Sequence, residues 1–240
     1  MIAGPASMLL SARGISKHFG RNAVLQDAGF TVRGREILGL IGPNGSGKTT
    51  LFECLAGLIP TDSGEVQFRG GACPPVRRKE CLFYLPDGIR PWAGQSVAWV
   101  LRFFAAIYGR SPEEGAALAR ALQLEALLSA RIGSLSKGEA KRALLALGLL
   151  TPHPLLLLDE PFDGLDFRQT REVMALLRTV PAAGRTLFLS IHQLTDAARV
   201  CDRLVLLSKG RVVGEGTLPE LRARAGLDEG GLEEVFLALT

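Results

Sequence analysis

The sequence is poor in residues that bind transition metals or form covalent cross-links. Its 240 residues include four cysteines and three histidines, and no two cysteines have the Cys-x-x-Cys spacing of zinc or redox sites. A secreted disulfide-rich domain would need more cysteines, and a zinc domain would need ligands in closer sequence clusters. The four thiols are therefore predicted to stay reduced. They belong to Cys54, Cys73, Cys81 and Cys201.

Long apolar runs are also missing. A membrane-spanning helix needs about 18 or more consecutive apolar residues. The longest candidates, 143–150 and 155–158, are short and are separated by Pro152 and Pro154. The first ten residues carry no basic side chain ahead of an apolar stretch, as a secretory signal peptide would. We expect a chain without a signal peptide that stays on one side of any membrane it serves.

Charge is neither strong nor clustered. The chain has 28 basic and 24 acidic residues, a formal net charge of +4, and one short basic run at 77–79. Such a run is more typical of a solvated turn than of a nucleic-acid surface, so no nucleic-acid partner is predicted. With 47% hydrophobic residues, the chain can bury one substantial core, and we predict a single domain over 1–240.

One segment carries specific chemistry. Residues 42–49 read Gly-Pro-Asn-Gly-Ser-Gly-Lys-Thr, between an apolar run at 37–41 that predicts a buried strand and a predicted helix at 50–58. The glycines let successive backbone N–H groups curl around an anion, and the helix N-terminus adds partial positive charge. Lys48 is predicted to reach the β- and γ-phosphates of a nucleoside triphosphate, and the Thr49 hydroxyl to reach Mg²⁺. An ordinary glycine-rich turn is the weaker alternative. The predicted nucleotide-binding residues here are Gly42, Pro43, Asn44, Gly45, Ser46, Gly47, Lys48, Thr49 and Thr50.

Two carboxylates follow a second apolar strand. Residues 155–158 are four leucines, and Asp159 and Glu160 come directly after them. Asp159 is predicted to bind Mg²⁺ beside Thr49, and Glu160 to orient and deprotonate the attacking water. A plain turn into a helix is the alternative, which the segment at 42–49 makes weaker.

The order of the elements predicts the fold class. Short strands with turns are predicted over 8–41, including 29–32 and 36–41. Further strands are predicted at 65–68, 82–85, 155–158, 186–191 and 203–207, with a hairpin turn at 61–64. Helices are predicted through 96–148 and at 168–180 and 195–200. We predict an α/β fold, a P-loop NTPase core with a mostly parallel sheet. It carries an N-terminal antiparallel β subdomain within about 1–85 and an inserted α-helical subdomain at about 88–150, and the core continues over 151–240.

The polar motifs, taken in order, resemble those of the ATP-binding-cassette (ABC) ATPases, the nucleotide-binding subunits of ABC transporters. Residues 42–49 match the Walker A loop and 155–160 match Walker B with its catalytic glutamate. Residues 135–139, Leu-Ser-Lys-Gly-Glu, stand where the family's LSGGQ signature belongs. Residues 164–166 match the D-loop, and His192 matches the switch histidine. The resemblance covers nearly the whole chain.

This resemblance implies an ATPase that uses ATP and Mg²⁺ and dimerises head to tail. Ser136 and Gly138 would then cradle the γ-phosphate bound by the second nucleotide-binding subunit. His192 would be a catalytic residue that senses the γ-phosphate of the ATP bound by its own chain. Phe19 stands at the place of the aromatic residue that stacks on adenine, and Asp166 counts among the nucleotide-binding residues. The resemblance also implies a transmembrane permease subunit as partner, and a cytoplasmic location, peripheral on the inner face of the membrane.

The chain departs from the family pattern at three positions. Lys137 replaces Gly and Glu139 replaces Gln in the signature, while its serine and second glycine remain. Asp87 stands where the family usually has Gln after the strand at 82–85. A carboxylate near the γ-phosphate repels it unless a cation lies between them, so Asp87 is predicted to lie close to the metal. The alternative is that Asp87 caps the loop at Gly88 and faces solvent.

Aromatic residues follow Asp87 in a region that forms, in the family, the groove for a short helix of the membrane subunit. They are Trp92, Trp99, Phe103, Phe104 and Tyr108. Packing inside the helical subdomain is the alternative for each of them, and Trp92 is the best groove candidate. A soluble ABC protein of translation or DNA repair is the alternative function, disfavoured because the chain has one cassette and no long coiled-coil insertion. A non-catalytic regulatory subunit is disfavoured because Lys48, Asp159, Glu160 and His192 are all present.

Overall fold

The computed structural model of the protein describes residues 7–240. The expectations that concern residues 1–6, about a signal peptide and the start of the domain, lie outside the described residues. The first sheet is antiparallel, with four strands in the order β2-β1-β4-β5. Its strands are β1 (Met8–Phe19), β2 (Asn22–Arg33), β4 (Ser63–Phe68) and β5 (Gly71–Ala72).

The second sheet has six strands in the order β10-β9-β3-β8-β7-β6. They are β3 (Ile37–Ile41), β6 (Leu82–Leu85), β7 (Leu155–Asp159), β8 (Thr186–Ile191), β9 (Arg203–Ser208) and β10 (Arg211–Gly216). All neighbours are parallel except β10, which runs antiparallel to β9. Every residue of β3, β7 and β8 is buried, because a parallel sheet is covered on both faces. The predicted mostly parallel sheet is confirmed.

Nine helices surround the sheets in the part of the chain that the structure describes. They are α1 (Lys48–Ala56), α2 (Pro75–Cys81), α3 (Val97–Ile107), α4 (Pro112–Ala121), α5 (Lys137–Leu150), α6 (Phe167–Leu177), α7 (Leu194–Val200), α8 (Leu218–Arg224) and α9 (Leu232–Leu239). Helix α5 begins where a capping box forms. The Ser136 hydroxyl accepts the Glu139 N–H, and the Glu139 carboxylate accepts the Ser136 N–H at 2.8 Å.

The core has two parts, on the two faces of the second sheet. One part lies between the sheets and contains Phe30, Phe52 and Phe188, whose rings contact one another. The other part lies between the second sheet and the helices and contains much of α5. The apolar residues of α5 are buried along most of its length, so this helix is held firmly against the sheet.

Several local predictions are wrong. Residues 61–64 do not form a hairpin turn: they lead into β4, which pairs with β1, and the tight turn lies at Arg69 and Gly70, between β4 and β5. The basic run at 77–79 lies in α2 rather than in a solvated turn, because Arg78 is buried and donates to the main-chain oxygens of Cys54 and Cys73. The predictions missed five peripheral and C-terminal elements, namely α2, β5, β10, α8 and α9.

The cysteines are free thiols. Burial raises the pKa of both Cys54 and Cys73 to about 11, so both are protonated near neutral pH. Among residues 7–240, no helix combines the length and the apolar character that crossing a bilayer requires.

Candidate active site

A polar cavity of about 680 Å³ lies beside the carboxyl ends of β3 and β7. This is the edge of a parallel sheet where ligands usually bind, because the strand ends and helix N-termini converge there. The residues that line the cavity are Asn22, Val24, Asn44, Gly45, Gly47, Lys48, Thr49, Thr50, Asp87, Asp159, Glu160, Asp163 and His192. The topology thus brings together the motifs at 42–49 and 155–160, the loop after β6 and the end of β8.

The loop from Gly42 to Gly47 has a backbone that only glycine adopts easily. Gly47 has a φ of 104°, in the left-handed region, at the position just before α1. A Cβ atom at Gly42 would lie 2.3 Å from the main-chain oxygen of Leu207, so no side chain fits there. The loop therefore folds tightly between β3 and α1, with its N–H groups available to an anion.

Two polar groups of this loop are buried, and one of them, the Lys48 ammonium, also lines the cavity and fits a phosphate. The Lys48 ammonium is almost fully buried, donates to the main-chain oxygen of Gly42 at 2.8 Å, and lies 3.8 Å from Glu160 Oε1. The Ser46 hydroxyl is buried and has no hydrogen-bond partner among residues 7–240. A buried hydroxyl without a partner is costly, and Ser46 does not line the cavity, so this hydroxyl is not assigned to a phosphate.

Asp159 is the centre of a hydrogen-bond network at the end of β7. The Thr49 hydroxyl donates to Asp159 Oδ2 at 3.0 Å, and the Ser190 hydroxyl donates to Oδ1. The Tyr84 hydroxyl also donates to Oδ2, at 3.3 Å. Burial, together with the Asp159 carboxylate, raises the pKa of Tyr84, so its hydroxyl stays a donor. The sequence predictions missed Tyr84 and Ser190, which hold this carboxylate in place.

Glu160 and His192 face each other across the cavity. Glu160 Oε2 lies 2.6 Å from His192 Nδ1, and the Glu160 N–H donates to the Ser190 hydroxyl at 3.0 Å. Glu160 has a φ of 48°, in the left-handed region, which is uncommon for a residue with a side chain. The two predicted catalytic residues are therefore in contact.

Asp87 and Asp163 line the cavity, and each is paired with a lysine of α5. Asp87 Oδ1 lies 2.5 Å from the Lys141 ammonium, and Asp163 Oδ2 lies 2.6 Å from the Lys137 ammonium. The hydrogen bond from Lys137 holds the pKa of Asp163 below its usual range. The placement of Asp87 close to the metal stays a prediction; that prediction considered only a bound cation as the balancing charge, and Lys141 supplies a second one. Neither Lys141 nor Asp163 was predicted as part of the site.

Seven predicted site residues lie outside the cavity lining: Gly42, Pro43 and Ser46 in the loop before α1, and four residues in other elements. Ser136 is exposed at the start of α5, and Gly138 follows it on the first turn. Asp166 is the exposed N-cap of α6, where its carboxylate accepts the Gln169 N–H at 2.8 Å. Phe19 is half-exposed at the end of β1, with the Lys17 ammonium 5.4 Å from its ring centre. Within one chain, these four residues do not contribute to the cavity.

Comparisons with known proteins agree with this geometry. The profile of the ABC transporter family matches residues 25–163. The chain is 34% identical to the Nod factor export ATP-binding protein I of Burkholderia lata, over 85% of this chain and 69% of that protein. It is also 34% identical to the hemin import ATP-binding protein of Streptomyces coelicolor, over 95% of this chain and 84% of that protein.

A solved structure of the ATP-binding subunit of an ABC transporter has the same fold. It superposes with a TM-score of 0.87 at 31% identity, covering 96% of this chain and 99% of that chain. The glycine-rich loop, the paired carboxylates and the histidine that faces them therefore lie on a fold that is known from an ATP-binding subunit. This chain belongs to the ABC transporter family and is an ATP-binding, ATP-hydrolysing subunit of a transporter.

Proposed function

We propose that two copies of this chain close head to tail around two ATP molecules and drive a separate transmembrane permease subunit. One observation carries the dimer: the cavity contains the phosphate loop and the catalytic pair, whereas the signature serine lies outside it. A single chain therefore holds half of each site. The second half would come from the exposed start of α5 in another copy.

The start of α5 suits this role. The Ser136 hydroxyl accepts the Glu139 N–H, so its own proton remains free to be donated to a phosphate oxygen. The N-terminus of this 14-residue helix adds partial positive charge. A Cβ atom at Gly138 would lie 2.6 Å from the main-chain oxygen of Gly164, so glycine lets the signature pack directly against the D-loop.

Within the cavity, each side chain has a distinct task in hydrolysis. Lys48 and the N–H groups of the loop would bind the β- and γ-phosphates and stabilise the charge that grows on them. Glu160 is the general base for the attacking water. His192 contacts Glu160 and would hold both the carboxylate and the γ-phosphate in the reactive arrangement.

The donor set at the end of β7 fits Mg²⁺. The hydroxyl of Thr49 and the carboxylate of Asp159 are 3.0 Å apart and are hard oxygen donors. We propose these two as ligands, with Asp87 as a third candidate through the oxygen that does not face Lys141. When bound, the cation would neutralise charge on the β- and γ-phosphates.

An exposed apolar surface on α3 and the preceding loop supports the permease partner. Trp99 is 37% exposed, Phe103 36% and Ile107 58%, on one side of α3. Trp99 stacks on Phe103 with ring centres 4.9 Å apart, and Trp92 packs edge-on against Phe103 at 5.8 Å. The opposite stripe of α3, with Val97, is buried. An apolar, aromatic patch of this kind suits a helix of a membrane subunit that lies on the cytoplasmic side.

Replacing Ile107 with Glu should prevent association with the permease and leave the soluble ATPase activity within about twofold, because Ile107 is 58% exposed and does not line the ATP cavity. The test is co-purification with the multi-span membrane protein that we expect to be encoded beside this gene. Leu237→Glu is the matched control, since Leu237 is 70% exposed and lies on α9, away from the patch. If Ile107→Glu and Leu237→Glu both co-purify like the unmodified chain, the patch does not bind the permease.

Cargo and transport direction belong to the permease. The two relatives named above take part in export and in import. We therefore propose no direction for this chain.

A further inference from the structure

Helix α5 places two lysines at the rim of the cavity, one helical turn apart. Lys137 pairs with Asp163 in the loop after β7, and Lys141 pairs with Asp87 in the loop after β6. The two ion pairs differ in burial. The side chains of Lys137 and Asp163 are 58% and 34% exposed, whereas those of Lys141 and Asp87 are 6% and 36% exposed. Exposed ion pairs contribute little to stability, so the pair between Lys141 and Asp87 is the one expected to matter for the protein.

Burial makes the Lys141 ammonium dependent on its partners. Its Nζ lies 2.5 Å from Asp87 Oδ1 and 3.4 Å from the main-chain oxygen of Asp159. These acceptors lie at the carboxyl ends of β6 and β7, the edge where the phosphates would bind. A buried ammonium needs such acceptors, because its desolvation is otherwise uncompensated. The Lys141 side chain therefore joins helix α5 to the loop after β6 and to the last residue of β7, both of which line the ATP cavity.

The contact between Lys141 and Asp87 also affects the charge balance of the cavity. Four carboxylates line the cavity, whereas Lys48 is its one lysine or arginine among the described residues. An unpaired carboxylate at Asp87 would repel a triphosphate, and the repulsion would be largest for the γ-phosphate. Lys141 cancels that charge from outside the cavity. This explains how an aspartate can stand where the family usually has an uncharged glutamine.

We infer that Lys141 is a positioning residue of the ATP site: it neutralises the charge of Asp87 and holds the loop after β6 against helix α5. The part of this inference that concerns ATP rests on the proposed function. The part that concerns the ion pair between Lys141 and Asp87 does not depend on the proposed function.

A double-mutant cycle on nucleotide binding tests the first part. The proteins are the unmodified chain, Lys141→Met, Asp87→Asn and the double variant, and the measurement is the Kd for ATP and ADP with EDTA and with increasing Mg²⁺. In EDTA, Lys141→Met should bind ATP about tenfold more weakly, as expected for one uncancelled charge near the phosphates. The loss should be smaller for ADP and should shrink as Mg²⁺ is added. The double variant should bind ATP within about threefold of the unmodified chain, because no charge is left uncancelled.

Arg168→Met is the control, since it breaks an exposed ion pair on α6, outside the cavity lining, and should change the Kd by less than about twofold. The inference is overturned if Lys141→Met binds ATP in EDTA like the unmodified chain, or if adding Asp87→Asn fails to restore affinity. If the unmodified chain binds no ATP at all, the proposed function fails instead.

Thermal unfolding without nucleotide tests the ion pair between Lys141 and Asp87 independently of ATP binding. Asp87→Asn leaves the buried ammonium without its carboxylate, so it should lower Tm by about 5 °C or more. Adding Lys141→Met should recover part of that loss. Asp163→Asn instead removes the carboxylate partner of the exposed Lys137 and should change Tm by about 2 °C or less. Strictly additive Tm changes in the Asp87 and Lys141 variants would overturn the inference.

Discussion

Glu160→Gln is expected to lower the rate of ATP hydrolysis by about 100-fold or more while ATP binding is retained. The amide has the shape of the carboxylate and can keep the contact that Glu160 makes with His192, but it cannot accept a proton from water. Since the closed dimer would open only after hydrolysis, the variant should also accumulate as a dimer. Phosphate release measures the rate, and size-exclusion chromatography with ATP measures the assembly.

Two variants control this experiment. Glu172→Gln removes a carboxylate from the surface of α6, where it pairs with Arg168, and should hydrolyse ATP normally. Lys48→Ala removes the phosphate ligand and should stay monomeric with ATP. Normal hydrolysis by Glu160→Gln would show that Glu160 is not the base.

Mixing two inactive variants is expected to restore activity if the site is shared between subunits. Ser136→Arg should block the cradle for the partner's nucleotide, and Lys48→Ala should block the chain's own phosphate loop. A mixed dimer then contains one intact site, built from the loop of one chain and the signature of the other. An equal mixture should regain about a quarter of the unmodified activity, because random pairing makes half of the dimers mixed and each has one working site. Steady-state phosphate release after mixing is the measurement.

The control mixture combines Lys48→Ala with Glu160→Gln. Both substitutions damage the same half of the site, so no combination of these chains makes an intact site and no activity should return. Full activity of Ser136→Arg alone would contradict the shared site. Activity that fails to return in the first mixture would contradict it as well, provided that each variant is folded.

Local sequence predicted the parts of the site that depend on neighbouring residues. The glycine pattern at 42–49 requires a tight anion-binding loop, and the flanking apolar runs specify the strand and helix around it. The start of α5 is likewise set by nearby residues, since Ser136 and Glu139 form a capping box across three residues. The place of the two carboxylates was also predictable from sequence. The run of leucines at 155–158 predicts a buried strand, and the charged residues that follow it mark the end of that strand.

The partners of these groups were decided by the tertiary structure. Lys141 lies 54 residues from Asp87, and Ser190 lies 31 residues from Asp159. Pairing of β1 with β4 likewise replaced the local hairpin predicted at 61–64. A single sequence carries periodicity and capping signals over a few residues, whereas an ion pair forms only when packing brings two distant segments to one edge of a sheet. The sequence alone therefore determined the nucleotide chemistry of this protein, and the packing of α5 against the sheet decided how the charge on Asp87 is balanced.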